Sequence, residues 1–240
     1  MLPLNKLIAH RGASAYAPEN TIAAFDKALA LHASFLEFDV MCSADGEPFI
    51  FHDDSLRRTT NGRGEVGLVD SAYLKELDAG TWFSKNFKGE KIPHFKDALK
   101  WLHFSGLNAN IEIKPYPATT EKTTVAVLSH IQRHWPVGKE LPLISSFDWE
   151  ALSLCRSLAP EMPLGLLVHT WDPQCFQMAK QLSCYSIHFN RKILNQQRVQ
   201  DAKEQGYKVC AYTVNRKRQA NKLFDWGVDA IFSDFPDLLV

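Results

Sequence analysis

The feature that most constrains this chain is an alternation running from end to end, in which short β-branched and aromatic runs are separated by longer amphipathic ones. Eight such units can be counted. Strands are expected at residues 7–10, 35–40, 108–114, 143–147, 164–168, 186–189, 208–214 and 230–232. Helices are expected at 21–31, 94–103, 120–134, 148–158, 173–182, 194–205 and 216–226, several opened by Asn, Asp or Thr and closed by Gly. Units of this kind close around a parallel sheet. The expected fold is therefore α/β, a (β/α)8 TIM barrel. Its length of 240 residues lies close to the roughly 250 typical of that fold. A single domain over residues 1–240 follows, and only 233–240 remain after the last strand, so an eighth helix is short or absent.

One stretch breaks the rhythm. An insertion at about 45–93, after the second strand, is rich in Gly, charge and turn residues. Its turn at Ala44, Asp45 and Gly46 returns residues 48–52 as an added hairpin strand, and one short helix is expected near 72–77. An excursion of this length in a compact barrel shapes an active-site mouth. Within it Gly62, Gly64 and Gly67 spell GxGxxG, but no strand precedes them and no helix opens in them, so they read as loop glycines.

Strand parity singles out the chemistry. In FLEFDV, Glu37 and Asp39 point to one side and Leu36, Phe38 and Val40 to the other. The apolar set faces the helices, which leaves two carboxylates inside the barrel, where an unpaired charge is costly. In NANIEIK the same alternation sends Glu112 inward between Asn110 and Lys114. Salt bridges at a barrel end are the plain explanation for one such strand; two acidic strands call for a cation. Three carboxylates without a thiolate are hard oxygen donors, suited to one divalent cation, Mg2+ or Ca2+, with Mn2+ also fitting.

His10 and Arg11 end the first strand, and Gly12 permits the sharp exit there. His52 ends the hairpin strand beside Asp53 and Asp54. Two imidazoles titrating near neutrality suit general acid and base, although strand-end histidines also serve as structural hydrogen-bonding groups. Arg11 offers a fork for phosphate oxygens and Lys114 a point charge on the side of Glu112. His130 and His134 have i,i+4 spacing, but no third ligand motif stands near them in the sequence, and they read as residues of an amphipathic helix.

Composition narrows the partners. With 27 Lys and Arg against 27 Asp and Glu there is no basic excess for a nucleic-acid backbone or an anionic membrane, so a small-molecule ligand is expected. The opening segment is too short in apolar residues for an export signal, and no later run approaches 18 apolar residues, so no stable membrane insertion is expected. Five scattered cysteines without a CxxC read as reduced thiols, and a cytoplasmic location follows. Oligomeric state is not legible.

These residues resemble the glycerophosphodiester phosphodiesterase family of the cytoplasmic bacterial type over nearly the whole chain. The resemblance is carried by HRG at 10–12, PENT at 18–21, ExDV at 37–40, DGxPxxxHD at 45–53, RTTNGxG at 58–64, the DAG and aromatic pair at 78–83, IEIK at 111–114, YTVN at 212–215 and SD with Pro at 233–236. It implies a barrel with an insertion after the second strand that hydrolyses glycerophosphodiesters to sn-glycerol 3-phosphate and an alcohol. It further implies Glu37, Asp39 and Glu112 as metal ligands, His10 with His52 as acid and base, and Arg11 and Lys114 at the phosphate; we assign His10 as proton acceptor and His52 as donor, an order the sequence leaves open. Tyr212 stands where the family commonly has Trp, at the mouth of the seventh strand, and Phe147 matches a mouth position that ordinary barrel packing would equally explain. Two other functions fit the same features: a lysophospholipase D, for which Trp82, Phe83 and Phe87 would supply an apolar lip, and a non-catalytic phosphoester-binding barrel.

Overall fold

The structure, a computed structural model, describes residues 4–240; residues 1–3, at the start of the opening segment, lie outside it. Its strands are β1 (Leu7–Ala9), β2 (Phe35–Cys42), β3 (Pro48–Ile50), β4 (Asn108–Ile113), β5 (Leu143–Ser146), β6 (Leu164–Val168), β7 (Ser186–Asn190), β8 (Lys208–Tyr212) and β9 (Ala230–Ser233). Eight are parallel in the order β1-β9-β8-β7-β6-β5-β4-β2, and the pairing of Ala9 with Leu36 joins β1 to β2 and closes the ring. This is a (β/α)8 barrel. The helices are α1 (Ile22–Ala30), α2 (Ser71–Glu76), α3 (Phe95–Ser105), α4 (Thr120–His134), α5 (Trp149–Leu158), α6 (Gln174–Gln181), α7 (Gln196–Glu204) and α8 (Lys217–Asp225). With α2 in the insertion, seven helices pack on the barrel and none follows β9.

Local sequence caps half of the helix starts. The Thr21 hydroxyl accepts from the Ala24 amide to open α1, and Asp148 accepts from the amides of Glu150 and Ala151 to open α5. Gly106, at φ 73°, ends α3 in the left-handed conformation.

The two faces of each strand bury different material. Leu36, Phe38, Val40, Ile111 and Ile113 join Phe25, Leu99, Val127 and Leu152 in the layer between barrel and helices. Ile8, Phe35, Leu143, Cys210, Ala230 and Phe232 fill the barrel floor. Phe35 shares the parity of Glu37 and Asp39, so along β2 the interior changes from an aromatic floor to carboxylates within one strand.

β3 returns antiparallel on β2, pairing Val40 with Ile50 and Cys42 with Pro48. The insertion has a small core of its own, where Met41 meets Phe49, Leu56, Val66, Leu74 and Ile92. Besides α2 it holds two single 3-10 turns, Val66–Leu68 and Lys85–Phe87, that the sequence reading does not anticipate. Gly62 and Gly64 lie in a loop and Gly67 in the first 3-10 turn, with no α-helix until Ser71. Among the described residues no helix is long and apolar enough to cross a membrane. All five cysteines are free and buried.

Candidate active site

The site lies at the C-terminal ends of the strands, around a cavity of about 300 Å³. His10, Arg11, Glu37, His52, Glu112 and Lys114 form its polar wall, while Phe147, Leu167, Tyr212 and Phe232 form an apolar one. Asp39 is not on the wall; it is buried behind it, 1% exposed, and reaches the cluster from inside.

β2 and β4 are in register so that Asp39 pairs with Glu112 and Glu37 with Asn110. Each of Glu37, Asp39 and Glu112 places a carboxylate oxygen within 4.8 Å of the other two. Glu37 and Glu112 are 2% and 9% exposed, and this burial dominates their protonation. Lost solvent, then Asp39 and Glu112, raise the Glu37 pKa well above the ordinary range. Burial, then Asp39, push Glu112 up to about 8. Burial opposes ionisation of Asp39 as well, but Arg11, His52 and Lys114 outweigh it and hold its carboxyl below the ordinary value. Carboxylates that repel one another at this separation fit a divalent cation. The donor set is all oxygen, as Mg2+, Ca2+ or Mn2+ requires.

The loop after β1 is wound tightly onto this cluster. Arg11 and Gly12 both have positive φ, 54° and 81°, and a Cβ on Gly12 would sit 2.7 Å from the backbone of Ala24 in α1. That turn aims the Arg11 amide at Glu37 Oε2, 2.8 Å away. Asn20, also left-handed at φ 58°, donates to Asp39 Oδ2 at 2.8 Å, and its amide donates to the Arg11 carbonyl. The Arg11 guanidinium is held rather than free: Nη1 donates to Glu19 at 2.7 Å, and Nε lies 3.3 Å from Asp39 Oδ2 at an angle that is not a hydrogen bond.

Each histidine is gripped by a carboxylate. His10 Nδ1 lies 2.6 Å from Asp234 Oδ1, and Ser14, Asn215 and the amide geometry after β9 hold Asp234 in turn. His10 and the other polar partners bring Asp234 down to about 2 against its burial. His52 Nδ1 lies 2.6 Å from Asp53 Oδ1, and Arg58 bridges Asp53 to Glu19 with four contacts of 2.6 to 2.9 Å. Lys114 Nζ is 3.1 Å from His52 Nε2. Burial, more than the positive neighbours, lowers the His52 pKa. Phe147 is 45% exposed and stands edge-on to Tyr212 at 5.8 Å and His169 at 6.4 Å, while the Tyr212 hydroxyl donates to the Val168 carbonyl.

All nine residues singled out in the sequence thus meet around one cavity. Sequence reasoning did not assign Glu19, Asn20, Arg58, Asp234 or Asn215, which hold the first set in place. The signal was present in PENT, RTTNGxG, YTVN and the final SD, which are quoted as motifs above but lack any local reason to be near β1 and β2.

Residues 10–238 match the model of the glycerophosphoryl diester phosphodiesterase family. A glycerophosphodiester phosphodiesterase of Caldanaerobacter subterraneus subsp. tengcongensis is 35% identical, covering 98% of this chain and 96% of its own length. One from Bacillus subtilis is 33% identical over 96% of this chain and 84% of its own. A solved Oleispira antarctica phosphodiesterase, in complex with the product sn-glycerol-3-phosphate, superposes with a TM-score of 0.95 at 39% identity, covering 98% of this chain and 94% of that one. The chain belongs to the glycerophosphoryl diester phosphodiesterase family, a family of phosphoric diester hydrolases.

Proposed function

We propose that the chain hydrolyses deacylated glycerophosphodiesters to sn-glycerol 3-phosphate and a free alcohol, using one divalent cation held by Glu37, Asp39 and Glu112 and proton transfer by His10 and His52. The observation that carries this reading is the pairing of two imidazoles, each fixed at Nδ1 by a carboxylate 2.6 Å away, on the wall of a cavity that also carries two of the three clustered carboxylates, with Asp39 directly behind it. The product bound in the Oleispira antarctica relative supports the substrate class.

A cation in this cluster supplies charge stabilisation to a phosphoryl oxygen. The protein's own residues do the remainder. Asp234 and Asp53 each occupy the Nδ1–H of their imidazole, which leaves both Nε2 atoms as the proton-transfer positions. His10 takes the proton of the attacking oxygen, and His52 gives one to the departing alcohol. Lys114, now 3.1 Å from His52 Nε2, turns its charge to a phosphate oxygen when substrate fills the cavity. Arg11, tied to Glu19 and Asp39, holds the loop after β1 and adds positive potential beside the phosphate. Phe147 and Tyr212 bound the glycerol or headgroup on the apolar side.

A small polar headgroup fits better than an acyl chain. The cavity measures about 300 Å³, and Trp82, Phe83 and Phe87 are not on its wall. A reducing cytosolic setting belongs to the same reading and is supported by the five free, buried thiols.

The test is release of glycerol 3-phosphate from glycerophosphocholine, glycerophosphoethanolamine and their lysolipid counterparts, with and without EDTA. We expect turnover of the deacylated substrates that EDTA abolishes and Mg2+, Ca2+ or Mn2+ restores, and that falls at least a hundredfold in Glu112→Ala. Activity indifferent to EDTA would overturn the metal centre, and faster cleavage of lysolipids would overturn the substrate class.

A further inference from the structure

A second group of ligating side chains stands outside the cavity, where the start of the insertion meets α3 and α4. Glu47 precedes β3, His94 caps α3, and His130 lies one turn before the end of α4. Folding brings them together because β3 and α3 are bridged at Phe49 and His94, whose rings meet edge-on at 5.2 Å, and because α3 packs beside α4. His94 Nε2 is 2.8 Å from Glu47 Oε2, and the rings of His94 and His130 are 5.6 Å apart. One ligand atom from each of the three lies within 4.8 Å of the others. Of the His130 and His134 pair only His130 takes part, and the other two ligands come from the residue before β3 and from the cap of α3.

We propose that Glu47, His94 and His130 form a second divalent-cation site, of the zinc class, that fastens the start of the insertion to α3 and α4. The donor set distinguishes it from the centre in the cavity. Two imidazole nitrogens and one carboxylate suit Zn2+, whereas three carboxylates suit Mg2+ or Ca2+. His130 is already oriented as a ligand, since its Nδ1 faces the Ala126 carbonyl at 2.9 Å and so presents Nε2 outward. Zinc-bound histidines ordinarily anchor their other ring nitrogen in this manner.

Binding requires two local adjustments. Ligands on a tetrahedral Zn2+ with bonds of about 2.0–2.1 Å stand about 3.3 Å apart, so the Glu47–His94 contact opens by about half an ångström. His94 Nδ1 accepts from the Lys96 amide at 3.1 Å, which leaves the ring proton on Nε2, facing Glu47. A metal on Nε2 sends that proton to Nδ1 and displaces the Lys96 amide from the helix cap. Glu47 directly precedes β3, whose continuation carries His52, so the site secures the far end of a catalytic segment.

The proposal is tested on the full chain, stripped with chelator and titrated with Zn2+ by calorimetry in a Glu112→Gln background that weakens the cavity site. Adding either Glu47→Gln or His130→Gln is expected to weaken the remaining Zn2+ binding at least tenfold and to remove the Zn2+-induced rise in the thermal midpoint. Co2+ in the same background is expected to show the intense visible bands of a tetrahedral site, lost in both variants. Glu47 is half exposed, so its variant folds even where His130→Gln does not. A change of less than tenfold in Glu47→Gln would overturn the site, and so would a Co2+ spectrum of the weak, hydrated type; the Glu47–His94 contact is then a plain ion pair.

Discussion

At the scale of single residues, the two histidines look alike but are differently placed. Both are held at Nδ1 by a carboxylate at 2.6 Å, yet only His52 has a cation, Lys114, 3.1 Å from its Nε2. An ammonium there means that His52 is neutral before substrate arrives, and burial keeps it so by lowering its pKa. Once an anionic phosphodiester draws Lys114 away and a proton arrives, a histidine of lowered pKa is a strong acid toward the departing alcohol. Loss of general acid or base catalysis costs about 10²–10⁴-fold. We therefore expect both His10→Ala and His52→Ala to fall by that order on glycerophosphocholine. On a glycerophosphodiester of p-nitrophenol, whose leaving group needs no proton, His52→Ala should recover most of its rate and His10→Ala should not. Steady-state kinetics on the two substrates decides it, and recovery of His10→Ala instead would exchange the two roles. The carboxylates were readable in the sequence because strand parity is local. The partners Asp234, Glu19 and Arg58 were not, because 224 residues separate His10 from Asp234 and 39 separate Arg58 from Glu19.

At the scale of elements, the barrel was legible because each strand must bury one apolar face against helices, and a period of two exposes that face in the sequence. The insertion was legible only in outline. Its hairpin turn declares itself through Asp45 and Gly46, whereas its two 3-10 turns are held by contacts such as Gly80 against Phe87, where an added Cβ would lie 1.9 Å from the Phe87 carbonyl. Boundaries shifted by a residue or two; expected strand 208–214 ends at Tyr212, and expected helix 173–182 runs Gln174–Gln181. One cap also serves the site. Asp148 follows Phe147 directly, accepts from two α5 amides and receives the Thr120 hydroxyl at 2.7 Å, tying α5 to α4. Replacing such a cap by Ala costs about 1–2 kcal/mol, which for a chain of this size is a fall of about 2–8 °C in thermal midpoint. Asp148→Ala should show that fall in calorimetry together with a raised KM and a smaller change in kcat, since Phe147 bounds substrate rather than moving protons. An unchanged KM would show that the cap does not position Phe147.

At the scale of the whole molecule, the barrel interior has to accommodate polar groups below the cavity as well as in it. His188 on β7 is fully buried; its Nε2 meets the Ser186 hydroxyl at 2.8 Å, and its Nδ1 has no hydrogen-bond partner among the described residues. The ring fills the room left by Gly165 on β6, where a Cβ would lie 2.6 Å from it, and it packs on Phe232 at 5.1 Å. Parity alone sends His188 inward, but nothing nearby in sequence tells that it stays neutral there. Burial lowers its pKa from 6.5 to about 3, so the folded chain excludes a proton that the unfolded chain binds. Between those two values unfolding takes up a proton, and stability must therefore rise with pH across that window. The contribution is complete above pH 6.5 and is lost as pH falls toward 3. At about 1.4 kcal/mol per unit, moving from pH 6.5 to 4.5 costs the folded state about 2–3 kcal/mol through this one group. His188→Leu removes the titration while keeping an apolar body of similar reach. Urea unfolding at pH 7.5 and pH 4.5 should show the wild type losing about 2–3 kcal/mol more than the variant over that interval, whatever their difference at pH 7.5. Equal losses in the two proteins would mean that water or a proton reaches the barrel floor without unfolding, and that the acid sensitivity of the fold lies in the carboxylate cluster above it.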